Sequence, residues 1–336
     1  MKKHFLGLLL ACAVLTAVWA GGSGDKKVSD KDFVLTIGLP VEGGLCEAPF
    51  YIAIEHKLFE AEGLNYKVFK MDPGTAMNHL TTGSIDVTNN LLATLIQPIA
   101  NGLDVKIPLA IHTGCVKVLT KANSGIRTPA DLKGKKIGVS SLNASTKVIP
   151  SRVLASLGLK PDGANADVEW LIFPSAELPL ALERGFVDAI GVGDPTASII
   201  EAEGNIRVII NNATDNNLKD EFCCVAPVRS QTVKDHPEAV AKFLRALQKA
   251  SKWVQENPDE TARIITEQKY IAGEVATNAK VLKTYNYRAS VSHAQVALDR
   301  NARELQQIGI VAADVDVNAL VKDTFVAVPG VPDSLF

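Results

Sequence analysis

The chain has 336 residues, of which 47% are apolar and 21% charged, with a formal net charge of −2. That composition excludes a disordered chain, and the length exceeds what one compact core holds, so two lobes are expected. Basic and acidic residues are mixed throughout; with no basic stripe or tail there is no electrostatic footprint for nucleic acid.

At the N-terminus, Lys2 and Lys3 precede an apolar run over 5–19, followed by Ala20, Gly21 and Gly22. A positive start, a short apolar stretch and a small-residue exit describe a secretory signal over 1–22, and the run is shorter than the ~20 residues of a spanning helix. Cleavage near Ala20 is expected. Leu9-Leu10-Ala11-Cys12 resembles a lipid-attachment box, but Cys12 sits inside the apolar run, so a lipoprotein is the alternative, and a retained anchor a second one. Residues 23–32 are polar and read as a flexible leader.

A strand is predicted over 33–39, ending in the glycine-rich loop Glu42-Gly43-Gly44-Leu45-Cys46. Phe50, Ile52, Ala53, Ile54 and Leu58 recur at helical spacing, and Gly63 suits the stop. A strand over 65–69, a helix opened by Pro73-Gly74-Thr75, a strand over 85–88 and a helix over 92–100 follow. Residues 105–121 read as one long strand. A second α/β series then begins: a capped turn over 128–132, strands over 136–139, 168–172, 187–192 and 207–210, and helices over 143–157, bent near Pro150, and 176–184. Strands alternating with helices imply βαβ units and a mostly parallel sheet. A strand over 222–228 and long helices over 236–268 and 292–308 complete the chain. Val240, Phe243, Leu244, Leu247 and Ala250 form one apolar stripe, read as core packing against the first lobe.

Two segments echo one another. Leu80-Thr81-Thr82-Gly83-Ser84-Ile85-Asp86-Val87 and Leu182-Glu183-Arg184-Gly185-Phe186-Val187-Asp188-Ala189 each end a helix, stop at glycine and enter a strand beside an aspartate. Two lobes on one plan are expected.

Four further segments carry a family resemblance: Ala48-Pro49-Phe50-Tyr51-Ile52-Ala53 with Leu58-Phe59-Glu60-Ala61-Glu62-Gly63-Leu64; Leu80 through Asp86; Pro129-Ala130-Asp131-Leu132-Lys133-Gly134-Lys135-Lys136-Ile137-Gly138-Val139; and His236-Pro237-Glu238-Ala239-Val240 running into Trp253-Val254-Gln255-Glu256-Asn257-Pro258. In order and spacing they resemble the nitrate/sulfonate/taurine-type periplasmic solute-binding proteins of ABC importers. The resemblance implies a two-lobed α/β fold of the periplasmic-binding-protein type II class, with lobe one from 33–118 plus 223–336, lobe two from 122–218, and a hinge near 119–122 and 218–223. It also implies an extracytoplasmic, monomeric, non-enzymatic protein that closes on a small molecule and serves a permease and an ATPase. Contact with the membrane would run only through the permease or a lipid anchor, and no cofactor is expected.

Ligands of open α/β sheets bind beyond the carboxyl ends of strands, which selects the same loops the family uses. From lobe one these are Gly44, Leu45 and Cys46, Gly74 and Thr75, Asn89 and Asn90, and His112 and Cys115. From lobe two they are Ser140, Ser141, Asn143, Ser145 and Thr146, then Gly193 and Asp194. The loops at Gly74-Thr75 and Asn143-Ala144-Ser145-Thr146 precede helices, where free N–H groups favour an oxyanion; plain capping is the alternative. No arginine stands in these loops, although strong anions usually find one. Asp194 and the asparagines suit a neutral or cationic heterocycle, such as a pyrimidine precursor, better than a sulfonate or nitrate.

Cys46, Cys115, Cys223 and Cys224 admit three readings: buried small hydrophobes, a disulfide such as Cys46 with Cys115, or soft-metal or thiol-ligand binding. Nothing resembling GxSxG, HExxH, GxxxxGK[ST] or a strand-borne GxGxxG occurs, and the histidines are scattered singly, so catalysis is not expected. A sensor that binds solute without feeding a permease stays open.

Overall fold

A computed structural model describes residues 32–72 and 74–336, so the signal and all but the last residue of the leader lie outside the described residues. In chain order the strands are β1 (Leu35–Pro40), β2 (Tyr66–Met71), β3 (Val87–Thr88), β4 (Asn90–Leu91), β5 (Val105–Lys106), β6 (Ala110–Thr113), β7 (Val116–Lys121), β8 (Lys136–Val139), β9 (Glu169–Ile172), β10 (Ala189–Gly193), β11 (Ile206–Asn211), β12 (Phe222–Val225) and β13 (Val228–Arg229). One sheet runs β2-β1-β3-β13-β5, a second β11-β7-β10-β8-β9, and a short third β4-β12-β6. β1 pairs in parallel with β2 and β3, and β8 with β9 and β10. The strand that enters each large sheet directly from the small one, β13 or β7, lies antiparallel to its neighbours. The two-lobed α/β architecture expected from the sequence is therefore present.

The echoed segments are built alike. Gly83 and Gly185 both end their helices in the left-handed region, at φ 77° and 73°. Asp86 Oδ2 accepts from the Thr36 N–H at 2.8 Å, and Asp188 Oδ2 from the Lys136 N–H at 2.8 Å. Each aspartate thus holds the start of the parallel strand beside it, β1 or β8. Their surroundings differ. Asp86 is buried and also accepts from Thr232 Oγ1 at 2.7 Å, whereas Asp188 is exposed. Urea unfolding is expected to show a loss of about 1–3 kcal/mol for Asp86→Ala, which leaves buried donors unpaired, and about 0.5 kcal/mol for Asp188→Ala, where water replaces the carboxylate. Equal losses would remove the burial argument.

The single strand expected over 105–121 is three strands in three sheets. Gly114 and Cys115 break it, with φ of 87° and 125°. β7 already pairs with β10 and β11, so the chain passes between sheets at 113–116, ahead of the 119–122 segment expected as a hinge. The strand expected over 222–228 likewise divides into β12 and β13. The helix expected from 143 starts at Ser145, and Pro150 stands within it. The sequence reading also passed over a helix, Thr196–Ala202, directly after Asp194.

The apolar stripe is core. Val240, Phe243, Leu244, Leu247 and Ala250 are fully buried on the helix Pro237–Glu256, which packs on the helices Ala48–Glu55 and Leu58–Ala61 of the first unit. Among the described residues, no helix is long and apolar enough to cross a membrane.

Candidate functional site

The loop after β1 is held rigid by its own side chains. The Glu47 carboxylate accepts from the Gly44 N–H at 2.8 Å and from Asn89 Nδ2 at 2.7 Å, so loops after β1 and β3 are tied together. Burial pushes the Glu47 carboxyl up to about 7. The short turn Leu45–Glu47 then turns Cys46 inward, where it is buried.

The small sheet brings the remaining thiols to the same place. β12 runs antiparallel to β6 with Cys224 opposite His112. The turn at Gly114 folds Cys115 back beside them: Cys115 Sγ lies 3.5 Å from Cys223 Sγ, which is 3.8 Å from Cys224 Sγ. Sγ atoms of Cys46, Cys115 and Cys224 lie within 4.8 Å of one another, and ligand atoms of His112, Cys223 and Cys224 do the same. Cys223 directs its thiol at the Gly114 carbonyl. All four cysteines are buried and free, so the disulfide considered between Cys46 and Cys115 is not formed.

His112 is fully buried. Its Nδ1 lies 2.9 Å from the Thr113 carbonyl. A carbonyl only accepts, so Nδ1 carries the hydrogen and Nε2 presents a lone pair in the neutral ring. Nε2 has no hydrogen-bond partner. Tyr285 stacks on the ring at 5.5 Å and Tyr287 tilts against it at 5.1 Å. The four thiols and the imidazole polarise one another. Hydrogen bonds from Cys115 and Cys224 hold Cys46 well below the usual thiol range. Burial pushes Cys115 and Cys224 up. Burial opposes protonation of His112, but the charge of Cys46 beside it outweighs this and raises the ring to about 9.

The second unit meets this cluster through Asp194. Its N–H donates to the Cys115 carbonyl at 3.0 Å. Its Oδ1 accepts from the Ser198 N–H and hydroxyl at 3.0 and 2.7 Å, and its Oδ2 from the Tyr285 hydroxyl at 3.0 Å. Lys117 Nζ stands 3.7 Å from Oδ1. Burial pushes the Asp194 carboxyl up, against the pull of Lys117 and these hydrogen bonds. Across the seam, a Cβ built on Gly44 would come within 3.1 Å of the Asp194 carbonyl oxygen, so a side chain there would press the two units apart.

The sequence-named residues thus divide. Gly44, Leu45, Cys46, Asn89, His112, Cys115 and Asp194 gather at one seam; the Leu45 carbonyl accepts from Tyr287 OH at 2.8 Å, and Gly193 ends β10 beside Asp194. Asn90 is spent on structure, pairing with Val225 in the small sheet and accepting from Thr94 Oγ1 at 3.1 Å. Gly74 and Thr75 form an exposed turn in which Thr75 Oγ1 donates to the Asp72 carbonyl at 2.7 Å. Ser141 and Asn143 are exposed, Ser140 is half-buried, and Ser145 and Thr146 open the helix Ser145–Ser156. Thr146 Oγ1 is buried without a partner. Neither helix-opening loop caps its helix with a side chain, and the charge of Lys147 is taken by Asp162 at 2.5 Å.

Sequence reading missed Tyr285, Tyr287 and Lys117. The two tyrosines stand two apart in Thr284-Tyr285-Asn286-Tyr287, and in extended chain that spacing puts both on one face. A cavity of about 1060 Å³ lies elsewhere, lined by Arg152, Asp215, Arg300 and Glu304 among others, and shares none of the sequence-named site residues.

A model of the family described as NMT1/THI5 like matches residues 47–261. The "Putative aliphatic sulfonates-binding protein" of Bacillus subtilis is 26% identical over 337 aligned residues, covering 97% of this chain and 96% of that protein. The formylaminopyrimidine-binding protein of Halalkalibacterium halodurans is 23% identical over 77% of each chain. In three dimensions the periplasmic aliphatic sulphonate binding protein SsuA from Escherichia coli superposes with a TM-score of 0.72 at 18% identity, covering 90% of this chain and 95% of that one.

Proposed function

We propose, since this chain belongs to the NMT1/THI5-like family, that it is the extracytoplasmic solute-binding component of an ABC importer, not an enzyme. The two units close on a small molecule at the seam between the β1 loop and Asp194, and the loaded protein passes it to a permease and an ATPase. Relatives named for binding aliphatic sulfonates and formylaminopyrimidine support capture as the activity. One observation carries the location. Asp194 of the second unit meets both the Gly44 loop and Tyr285 there, while Asn89 Oδ1 lies buried nearby without a partner. Buried polar atoms are nearly always hydrogen-bonded, so such an orphan at a junction of two units suits a ligand.

Between the two named solute classes, the seam favours a neutral or cationic heterocycle. Asn89 offers an amide oxygen without a partner, no arginine stands among the gathered residues, and Lys117 is taken by Asp194, Ser198 and Glu201. A signal segment over 1–22 would take the chain out of the cytoplasm, with a lipid anchor at Cys12 the variant form, and the protein would act as a monomer.

A thermal-shift screen of sulfonates, nitrate, bicarbonate, pyrimidines and thiols tests this. A true ligand at about 100 times its Kd adds ~2.7 kcal/mol of stability. Asp194→Ala is expected to weaken that ligand at least tenfold in calorimetric titration; unchanged affinity would remove Asp194 from the site.

A further inference from the structure

The thiol cluster does more than fill space. Small buried hydrophobes need no common focus, yet here three thiols and an imidazole converge from three separate stretches of chain. We propose that this cluster, in which Cys46, Cys115 and Cys224 form one triad and His112, Cys223 and Cys224 a second that shares Cys224, binds one thiophilic metal ion of the Cu(I) or Zn(II) class. This goes beyond the capture of an organic solute and stands on the geometry alone.

The spacing fits an ion. Tetrahedral metal–sulfur bonds of about 2.3 Å place ligand sulfurs about 3.8 Å apart. The sulfurs of Cys46, Cys115 and Cys224 lie within 4.8 Å of one another, close enough to contract onto a common centre by rotamer adjustment. The imidazole is prepared for the same task. Metal-bound histidines donate their other ring N–H to a carbonyl or carboxylate, which fixes the ring and turns the free nitrogen to the metal. His112 Nδ1 faces the Thr113 carbonyl at 2.9 Å, and Nε2 is buried and unpartnered. Tyr285, stacked on the ring, and Tyr287, tilted against it, hold its plane.

The backbone adds a separate sign. Cys115 is held at φ 125°, a conformation that strains a non-glycine residue and persists where its surroundings over-determine it. Gly114 before it takes φ 87°, and a Cβ there would come within 2.7 Å of Tyr285. Together these turns swing Cys115 back toward Cys46. Soft thiolate donors in a dry site select Cu(I) and Zn(II) over oxygen-seeking cations such as Mg(II) or Ca(II).

The test uses the full chain, reduced and freed of metal by a chelator. Titration with Zn(II) against a chromophoric competitor, and with Cu(I) against bathocuproine disulfonate under anaerobic conditions, is expected to show one tightly held ion per chain; the arm that competes better identifies the metal. Cys46→Ser and Cys224→Ser are each expected to weaken it at least tenfold. Loading the unaltered protein with Co(II) guards against variants that fail to fold: intense tetrahedral d–d bands with sulfur-to-cobalt charge transfer are expected. Weak octahedral absorption, no retained ion in either competition, or affinity unchanged in both serine variants would overturn the proposal. Each of those results leaves the solute screen unaffected, and a screen that finds no organic ligand leaves the metal titration standing.

Discussion

Replacing Arg152 with methionine is expected to lower the unfolding free energy by about 3 kcal/mol, the low end for breaking a buried pair, because Glu221 keeps only the exposed Arg300, whose Nε stands 3.1 Å away. Arg152 stands on the helix Ser145–Ser156, with its side chain 3% exposed. It grips Glu221 with both NH groups, at 2.7 and 2.8 Å, and donates from Nε to Glu304 at 2.6 Å. Asn301 bonds to both Arg152 and Glu221, at 3.0 Å in each case. Helix Ser145–Ser156 belongs to the second unit; Glu304 and Asn301 come from the helix Val291–Gln307, which packs on the small sheet. The arginine therefore joins the two units, with its own side chain and that of Glu221 buried. In a thermal scan the midpoint should fall by roughly 10 °C, at 2–4 °C per kcal/mol for chains of this size. Glu221→Gln in the same background should recover part of the loss, because the double variant no longer buries a carboxylate stripped of its two-pronged arginine. A single variant within 1 kcal/mol of the parent, against the loss of about 3 kcal/mol expected here, would show that the network is replaceable by water.

Phe243→Ala should cost about 3–5 kcal/mol through lost burial and the cavity left behind. Phe243 is fully buried. Its ring stacks on Phe59 at 5.6 Å and 9° and tilts against Phe50 at 5.9 Å. It thus bonds the C-terminal helices to the first βαβ unit, and backbone atoms of three elements would have to shift to close the gap. Denaturant unfolding should show a lower midpoint with an unchanged slope. A loss near 1 kcal/mol would mean that the three helices collapse onto the vacancy.

The large elements were legible because they rest on local periodicity. Helix 92–100 and strand 136–139 match their sequence-expected bounds to the residue, and the paired Gly-x-x-Asp segments are built alike. Long-range pairing was not legible. Residues 105–121 look like one strand because Val, Ile, Leu and Thr recur along them; the stretch 107–109 parts β5 from β6, two positive φ values at Gly114 and Cys115 part β6 from β7, and a positive φ at a cysteine leaves no sequence mark. At the site, strand-end logic found Cys46, Asn89, His112, Cys115 and Asp194, which do gather. It failed for Asn90, whose side chain is taken by Thr94 four residues on. It could not reach Tyr285 or Tyr287, which come from a connection outside the βα units that the strand-end rule covers.

The order of strands also sets the order of assembly. All strands of the second sheet, β7 through β11, are consecutive in the chain. That unit can complete itself while the remainder is still being synthesised or threaded across a membrane, since domains fold as units when their contacts are local. The first sheet cannot: β3 and β5 stay unjoined until β13 arrives to lie between them. Cys115 likewise precedes its neighbour Cys223 by 108 residues. In an oxidising compartment Cys46 and Cys115 would therefore wait, exposed and able to pair wrongly, until the last third of the chain emerges. If the chain is exported as proposed, its yield should depend on how fast that last third follows.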